Sequence, residues 1–370
     1  MKKTNKNTLL IPNSGQVISL PIFIPDATFG VVRGLDAQDL HACGIQAIMM
    51  NTFHLMQSPG ASIIQSTGGL GPFSGWKQTI FTDSGGFQAY SLIREGPRFG
   101  HLSDKGITFQ AKGKGRKFLL TPEKCIQLQF DLRSHVFFCL DDCTHVDNTD
   151  EEQRIAVERT IQWAGRCKRE YEKILNQKEI DEQNRPLLFA IVQGGKSYPL
   201  RELCAEALLE IGFDGYGYGG WPLDKQGKLV EDMLMATREL IPQQYPLHAL
   251  GIGHPEFIIR CAQMGYELFD SALPTRDARH GRLYRFAPNS SPAQIRKGEW
   301  GEFVYIQDER YTRNTCPLSE QCDCSTCQHT STAYLHHLYM INDVLYQRLA
   351  TIHNLHYITQ LCQYLAQDRG

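Results

Sequence analysis

Six short apolar runs, each closing on a polar residue or glycine, narrow the fold more than any other feature of this chain. They are QAIMMN (46–51), TIFTDSGG (79–86), HVFFCLDDC (135–143), LLFAIVQGG (187–195), PLHALGIG (246–253) and YELFDS (266–271). Runs that are apolar throughout, rather than alternating, read as strands covered on both faces, which is the pattern of a parallel sheet. Helical patterns lie between several of them. Over 150–175, Val157, Ile161, Ala164, Tyr171 and Leu175 share one face, and Thr149 with Glu152 forms a capping box at its start. Further helices are expected at 199–212, 226–241 and 254–264. Strand and helix in alternation argue for an α/β fold, and 370 residues are enough for one large barrel. A closed barrel is preferred here over an open doubly wound sheet. Either would build its site where strands end, and Asp83, Asp141, Gln193, Gly220 and Asp270 occupy such positions.

The apolar fraction of 42% and the charged fraction of 21% exclude a disordered or fibrous chain. With 38 Lys+Arg against 40 Asp+Glu, the formal charge of −2 gives no support to a nucleic-acid partner, although a local basic face would not show in that sum. The start, MKKTNKNTLLIPNSG, has too short an apolar core for a secretory leader, and no run approaches bilayer length. No membrane association is therefore expected, and the cytoplasm is the expected compartment. GITFQAKGKGRKFLLTPE (106–123) reads as a β-hairpin with a solvated tip at AKGKGRK. Residues 176–186 read as a polar loop and 287–321 as irregular. Two closing helices are expected near 331–348 and 350–367.

Twelve cysteines are many. Most, such as Cys139, Cys204 and Cys261, sit singly in apolar surroundings and read as small core residues of a reducing compartment. CDCSTC is different. Cys322, Cys324 and Cys327 place three thiols within six residues, the kind of set a tetrahedral zinc site draws on. The fourth ligand is left open among His329, His336, His337 and His353. Three thiolates and one imidazole fill a tetrahedron, which makes the expected metal structural.

Asp83, Asp141, Asp142 and Asp270 each follow a strand. One such aspartate is usually a helix cap or a turn residue. Convergence raises the functional reading, because a barrel gathers its strand ends at one mouth. Carboxylates read ring and amino N–H groups, whereas the Gln193 amide and the backbone of Gly219 and Gly220 read a carbonyl. Phe87, within TDSGGFQ (82–88), offers a stacking face. The set suits a nucleobase, guanine in particular.

Here the sequence resembles the tRNA-guanine transglycosylases, also called queuine tRNA-ribosyltransferases. The resemblance rests on TDSGGFQ (82–88), LDDCT (140–144), FAIVQGG (189–195), GYGYGG (215–220), LGIG (250–253), FDSALPTRDARHG (269–281) and CDCSTC with HN (322–354), in order along most of the chain. It implies a (β/α)8 TIM barrel with a C-terminal zinc-binding subdomain: residues 1–285 forming the main part of the catalytic barrel, 286–370 the zinc-binding subdomain and closing helices. It also implies a homodimer. The activity implied is that of a pentosyltransferase of queuosine biosynthesis. It would exchange guanine at the wobble position of tRNAs with GUN anticodons for a 7-deazaguanine, preQ1 or queuine, through a covalent Asp–ribose intermediate.

Residue by residue, the resemblance makes Asp270 the nucleophile and Asp83 the proton acceptor beside it. Asp141, Gln193 and Gly220 match the groups that read the base, with Ser84, Gly85, Gly86, Cys143 and Gly219 around the same pocket. Phe87 and Leu250 match the two faces of the base. The stretch Gly251, Ile252, Gly253, His254, Pro255, Glu256 and Phe257 matches a loop that touches RNA. Thr275, Arg276, Asp277, Ala278 and Arg279 match the stretch that reads the wobble neighbourhood. Cys322, Cys324, Cys327 and His353 match the ligands of one structural zinc ion per subunit.

The residue types agree with this chemistry. Exchanging a base with the sugar configuration kept needs two displacements, the logic of retaining glycosidases, with a second carboxylate moving protons on and off the purine nitrogen. A departure from the family pattern follows GYGYGG, where small residues are usual and this chain has Trp221-Pro222-Leu223-Asp224-Lys225. Bulky Trp221 and Leu223 favour a compact incoming base if they point inward; outward, they leave a roomier pocket. Cys143 is typical of bacterial members, and the absence of a further RNA-binding domain after residue 370 sets the expectation against the archaeal enzymes of tRNA bodies. Two rival readings are a related 7-deazaguanine transglycosylase acting on DNA or another RNA position, and a non-catalytic binding subunit of the same fold.

Overall fold

A computed structural model describes residues 7–95, 99–110, 117–145, 148–288 and 290–367. Its central element is one eight-stranded sheet. In chain order the strands are β1 (Ile22–Pro25), β2 (Ala47–Met50), β3 (Thr79–Thr82), β4 (Val136–Phe138), β5 (Leu187–Val192), β6 (Gly215–Tyr218), β7 (Leu247–Ala249) and β8 (Leu268–Ser271). They run in the order β1-β8-β7-β6-β5-β4-β3-β2. The pairs β3–β4, β4–β5, β5–β6, β6–β7 and β8–β1 are all parallel. With helices between the strands, this is a nearly closed α/β barrel, as expected. All six apolar runs contribute a strand. The two strands without such a run, β1 and β6, have their own sequence logic: β1 is IFIP, following Pro21 and ending on Pro25, and β6 is GYGY.

The glycines of β6 show how sequence fixes the strand. Phe189 of β5 pairs with Gly215, and Ile191 with Gly217. A β-carbon on Gly215 would lie 2.4 Å from the Phe189 ring, one on Gly217 2.9 Å from Ile191, and one on Gly219 2.6 Å from Gln193. The larger side chains of β5 thus lie directly over the bare backbone of β6. Only glycine admits that approach.

The chain divides into two compact units, one of Met1–Ile18, Thr28–Gly30 and Met49–Leu250, the other of Ser19–Ala27, Val31–Ile48 and Gly251–Gly370. In the first, the helix Asp150–Gln177 opens on the expected capping box, with Thr149 and Glu152 bonding each other's backbone. It packs against helices Pro122–Leu132 and Tyr198–Ile211. Its buried stripe runs through Val157, Thr160, Trp163, Ala164, Cys167, Tyr171 and Ile174. Ile161 and Leu175, expected on that face, are part-buried at its margin. The hairpin Gly106–Gln110 with Lys117–Leu120 forms as expected and gains a third antiparallel strand, Gly100–Ser103. The tip at 111–116 lies outside the described residues.

In the second unit, β8 pairs with β1, Asp270 opposite Ile24. The stretch read as irregular carries a short helix, Pro292–Arg296, and a strand, Glu302–Tyr305, that pairs antiparallel with Arg282–Arg285. The closing helices break earlier than expected, at Thr332–Met340 and Val344–Ala366. Asn342 adopts φ 61°, and Asp343 caps the next helix by accepting from Leu345 N at 2.8 Å. An Asn able to take the left-handed form, followed by an acidic N-cap, is enough to end one helix and start another. Helix Val344–Ala366 lies against β1, helix Leu273–Arg279 and helix Thr332–Met340. Among the described residues, no helix is long and apolar enough to cross a membrane.

Candidate functional site

In the first unit, β3 ends at Thr82 and delivers Asp83. The Asp83 carboxylate is gripped on both oxygens: Oδ1 accepts from Thr52 N at 3.0 Å, Thr52 Oγ1 at 3.3 Å and Gly85 N at 3.1 Å, and Oδ2 from Asn51 Nδ2. Asn51 also caps the short helix that follows β2, its Oδ1 accepting from His54 N at 2.9 Å. Such a set of donors fixes the direction of the carboxylate. Asn51 and Thr52 were not identified from sequence, although a polar residue closing QAIMMN was the available signal. Gly85 sits at φ 75°, with a β-carbon only 2.8 Å from Thr52 Oγ1, so the glycine pair of TDSGGFQ lets the chain turn tightly over this network.

Beyond β4, Asp141 accepts from Gln193 Nε2 at 2.7 Å. Burial pushes the Asp141 carboxyl up to about 6, against the hydrogen bonds from Gln193 and Ser84. Asp142 points elsewhere and is a structural partner of Arg159, its N accepted by Thr160 Oγ1 at 3.0 Å. Cys143 is buried, and burial raises its thiol far beyond the neutral range, so it stays protonated. Gln193 is 1% exposed, and its Oε1 has no hydrogen-bond partner among the described residues. A buried amide oxygen without a donor carries a cost of about 1–3 kcal/mol that an incoming N–H would relieve. Gly220, at φ 89°, faces this same oxygen.

Two aromatic rings border the cradle. Phe87 and Trp221 are 42% and 41% exposed, with centroids 5.7 Å apart; Trp221 also meets His145 at 5.8 Å. Leu223 forms an antiparallel bridge with Leu229. Asp224 closes the same turn, accepting from Gln226 N and Lys228 N at 2.9 Å each. Leu250 lies against Gly217, 3.1 Å from where its β-carbon would be.

In the second unit, Asp270 lies at the end of β8 and accepts from Gly251 N at 3.1 Å. Gly253 packs so closely on Ser271 that a β-carbon there would lie 2.5 Å away. The LGIG loop is thereby held over the carboxylate. His254 begins the helix Pro255–Met264 and sits among Phe257, Trp300 and Phe303. Burial lowers its pKa. Ile252 and Pro255 are buried, and Glu256 pairs with Arg260. Of the TRDAR stretch, Thr275, Asp277 and Ala278 are buried, Asp277 holding Arg282 and Tyr284, while Arg276 is exposed. Arg279 is half-buried, and its Nη1 has no hydrogen-bond partner among the described residues.

Cys322, Cys324, Cys327 and His353 are all buried, with ligand atoms within 4.8 Å of one another. His353 Nδ1 stands 3.7, 3.6 and 3.3 Å from the three sulfurs in that order. Tetrahedral bonds of zinc length, ~2.0–2.3 Å, would set neighbouring ligand atoms about 3.5 Å apart. The imidazole is aimed from behind: its Nε2 meets Tyr284 O at 2.6 Å, which leaves Nδ1 for the metal. Asn354, next along, ties helix to hairpin by donating to Pro274 O and Arg282 O at 3.1 Å each. The donor set fits a metal ion. His336, by contrast, is engaged by Ile306 O at 2.7 Å, and His329 and His337 are exposed.

Comparison with known proteins agrees with this geometry. A family model described as Queuine tRNA-ribosyltransferase matches residues 6–367. A queuine tRNA-ribosyltransferase of Actinobacillus pleuropneumoniae is 35% identical over 362 residues, covering 97% of this chain and 88% of that protein. One from Blochmanniella pennsylvanica is 37% identical over 358 residues, covering 97% and 90%. One from Aliivibrio salmonicida is 36% identical over 344 residues, covering 93% and 85%.

Proposed function

This chain belongs to the queuine tRNA-ribosyltransferase family and is a pentosyltransferase with tRNA and a free base as substrates, and from that premise we propose that it exchanges guanine at the anticodon wobble position of GUN tRNAs for a 7-deazaguanine. The supporting observation is the Asp141–Gln193 pair, with a carboxylate for the N–H edge of guanine and, beside Gly220, an amide. Phe87 supplies the stacking face.

The exchange proceeds by two displacements. A carboxylate oxygen of Asp270 attacks ribose C1′ as the glycosidic C–N bond breaks and guanine departs with the electron pair. Guanine leaves as its ring-nitrogen anion and takes up a proton from water as it is released. The incoming base gives its ring N–H proton to the Asp83 carboxylate as that nitrogen attacks C1′ and breaks the ester to Asp270, and Asp83 then loses the proton to solvent. Two inversions leave the configuration unchanged. The target base must leave the anticodon stack, and edge hydrogen bonds with aromatic stacking offset that cost. The backbone N–H of Gly251 donates to Asp270 Oδ1 and helps to orient the attacking carboxylate.

Trp221, beside Phe87 at the rim, favours the compact aminomethyl base preQ1 over queuine. Cys322, Cys324, Cys327 and His353 would hold one zinc ion per chain, and with four protein ligands its role would be structural. The family also sets the expectation of a homodimer, which sedimentation would test. The deciding assay offers GUN tRNA with labelled guanine, preQ1 and queuine in turn, alongside duplex DNA. Incorporation into tRNA at the wobble position supports the proposal; label in DNA alone, or in none, overturns it.

A further inference from the structure

Arg201 is 1% exposed. Burying a guanidinium costs several kcal/mol unless its donors are met, and a position that only needed packing would be apolar. Here four donor contacts are met, mostly by main chain. Nε donates to Gly195 O at 3.0 Å, Nη1 to Val192 O at 3.1 Å and Thr237 Oγ1 at 3.3 Å, and Nη2 to Gly219 O at 3.1 Å. The guanidinium also lies over the Tyr218 ring, 4.0 Å from its centroid. Gly194 has no side chain because a β-carbon there would lie 2.6 Å from Arg201.

The three carbonyls belong to the ends of β5 and β6, the two strands that deliver Gln193 and Gly220. In a planar trans peptide, C=O and N–H point in opposite directions. The Gly219 carbonyl is drawn to Arg201, so the N–H of the same peptide, that of Gly220, faces the other side. Gly220 itself stands beside the partnerless oxygen of Gln193, 3.7 Å from where its β-carbon would be. The Val192 carbonyl, likewise held, fixes the peptide that precedes Gln193, whose own N donates to Cys204 Sγ at 3.4 Å.

We propose that Arg201 is a positioning residue for base recognition: by clamping the carbonyls of Val192, Gly195 and Gly219 it points the Gly220 N–H and the Gln193 amide into the base cradle. This rests on the proposed function. Arg201 touches no substrate and acts through those two groups. Lysine keeps the charge but cannot present four N–H groups in a plane.

The test is steady-state kinetics of Arg201→Lys with two substrates varied separately. The expected result is a rise of about tenfold or more in KM for free guanine and preQ1, as for one lost oriented hydrogen bond. KM for tRNA and kcat at saturating base stay within about threefold. A merely structural role would lower the active fraction, and thus kcat, without separating the two KM values. Unchanged base KM in folded Arg201→Lys, with normal wild-type exchange, overturns the role of Arg201 alone; absent exchange in the wild type overturns the proposed function instead. Should Arg201→Lys not fold, Thr237→Val carries the test, since it keeps the guanidinium but removes one anchor. A rise of about threefold in base KM supports the proposal, and an unchanged value overturns it.

Discussion

Replacing Asp141 by asparagine should make the protein more stable and a poorer enzyme. Burial lifts the Asp141 carboxyl from an ordinary 3.8 to about 6, with hydrogen bonds from Gln193 and Ser84 opposing the rise. Between those two values the folded chain holds a proton that the unfolded chain has lost. Stability therefore falls as pH rises through the window, and above it the full cost of the buried charge is present. A shift of about 2.2 units at ~1.4 kcal/mol each gives up to about 3 kcal/mol, less whatever screening the open edge of the cradle allows. Asparagine keeps the shape and an oxygen for Gln193 Nε2, but carries no charge. Thermal and urea unfolding of both proteins should show Asp141→Asn stabilised by up to about 3 kcal/mol at pH 8, shrinking to about half that at pH 5. Guanine KM should rise over the same comparison, because an amide cannot accept from both donors of the guanine edge. A variant that is less stable than wild type at pH 8, or whose advantage does not vary with pH, would refute the reasoning.

Three other perturbations probe separate parts of the structure. Cys324→Ser should lower zinc content from near one per chain and destabilise the second unit, as read by atomic emission and limited proteolysis; a metal-free wild type with full activity contradicts a structural zinc. Gly215→Ala forces a β-carbon against the Phe189 ring and should cost roughly 1–3 kcal/mol of overpacking in urea unfolding, with a neutral outcome arguing against the strand register. Asn51→Ala removes a donor that orients Asp83, so kcat should fall by about tenfold, as for one lost oriented hydrogen bond, in steady-state exchange assays; an unchanged kcat would detach this contact from catalysis.

Much of the barrel was legible because a strand covered on both faces must be apolar throughout, and six strands satisfied that rule. Strand β6 escaped it because half its residues are glycines, which let Phe189 and Ile191 lie over them. That choice is visible only once the register of β5 is known. The helix Asp150–Gln177 was readable from its capping box and from Val157, Ala164 and Tyr171 on its buried face, while Ile161 and Leu175 are only part-buried. The three clustered cysteines announced a metal site from spacing alone. Which histidine completes it depends on Tyr284 O, 69 residues away, a relation that spacing does not carry. Asn51, Thr52 and Arg201 were missed for a common reason. Each acts on another residue's backbone or carboxylate, and a sequence motif marks the group that is held more readily than the one that holds it.

The central claim, that Asp270 carries the ribose as an ester between departure of one base and arrival of the next, is tested most directly by trapping that ester. Wild-type enzyme mixed with a GUN tRNA, with free guanine removed, is denatured in acid and weighed intact. The account predicts a species at the summed mass of chain and tRNA less one guanine, its link mapped to Asp270, and none from Asp270→Asn, whose exchange is also abolished. An adduct of the same mass in Asp270→Asn, or a link mapped to Asp83 in the wild type, would contradict it.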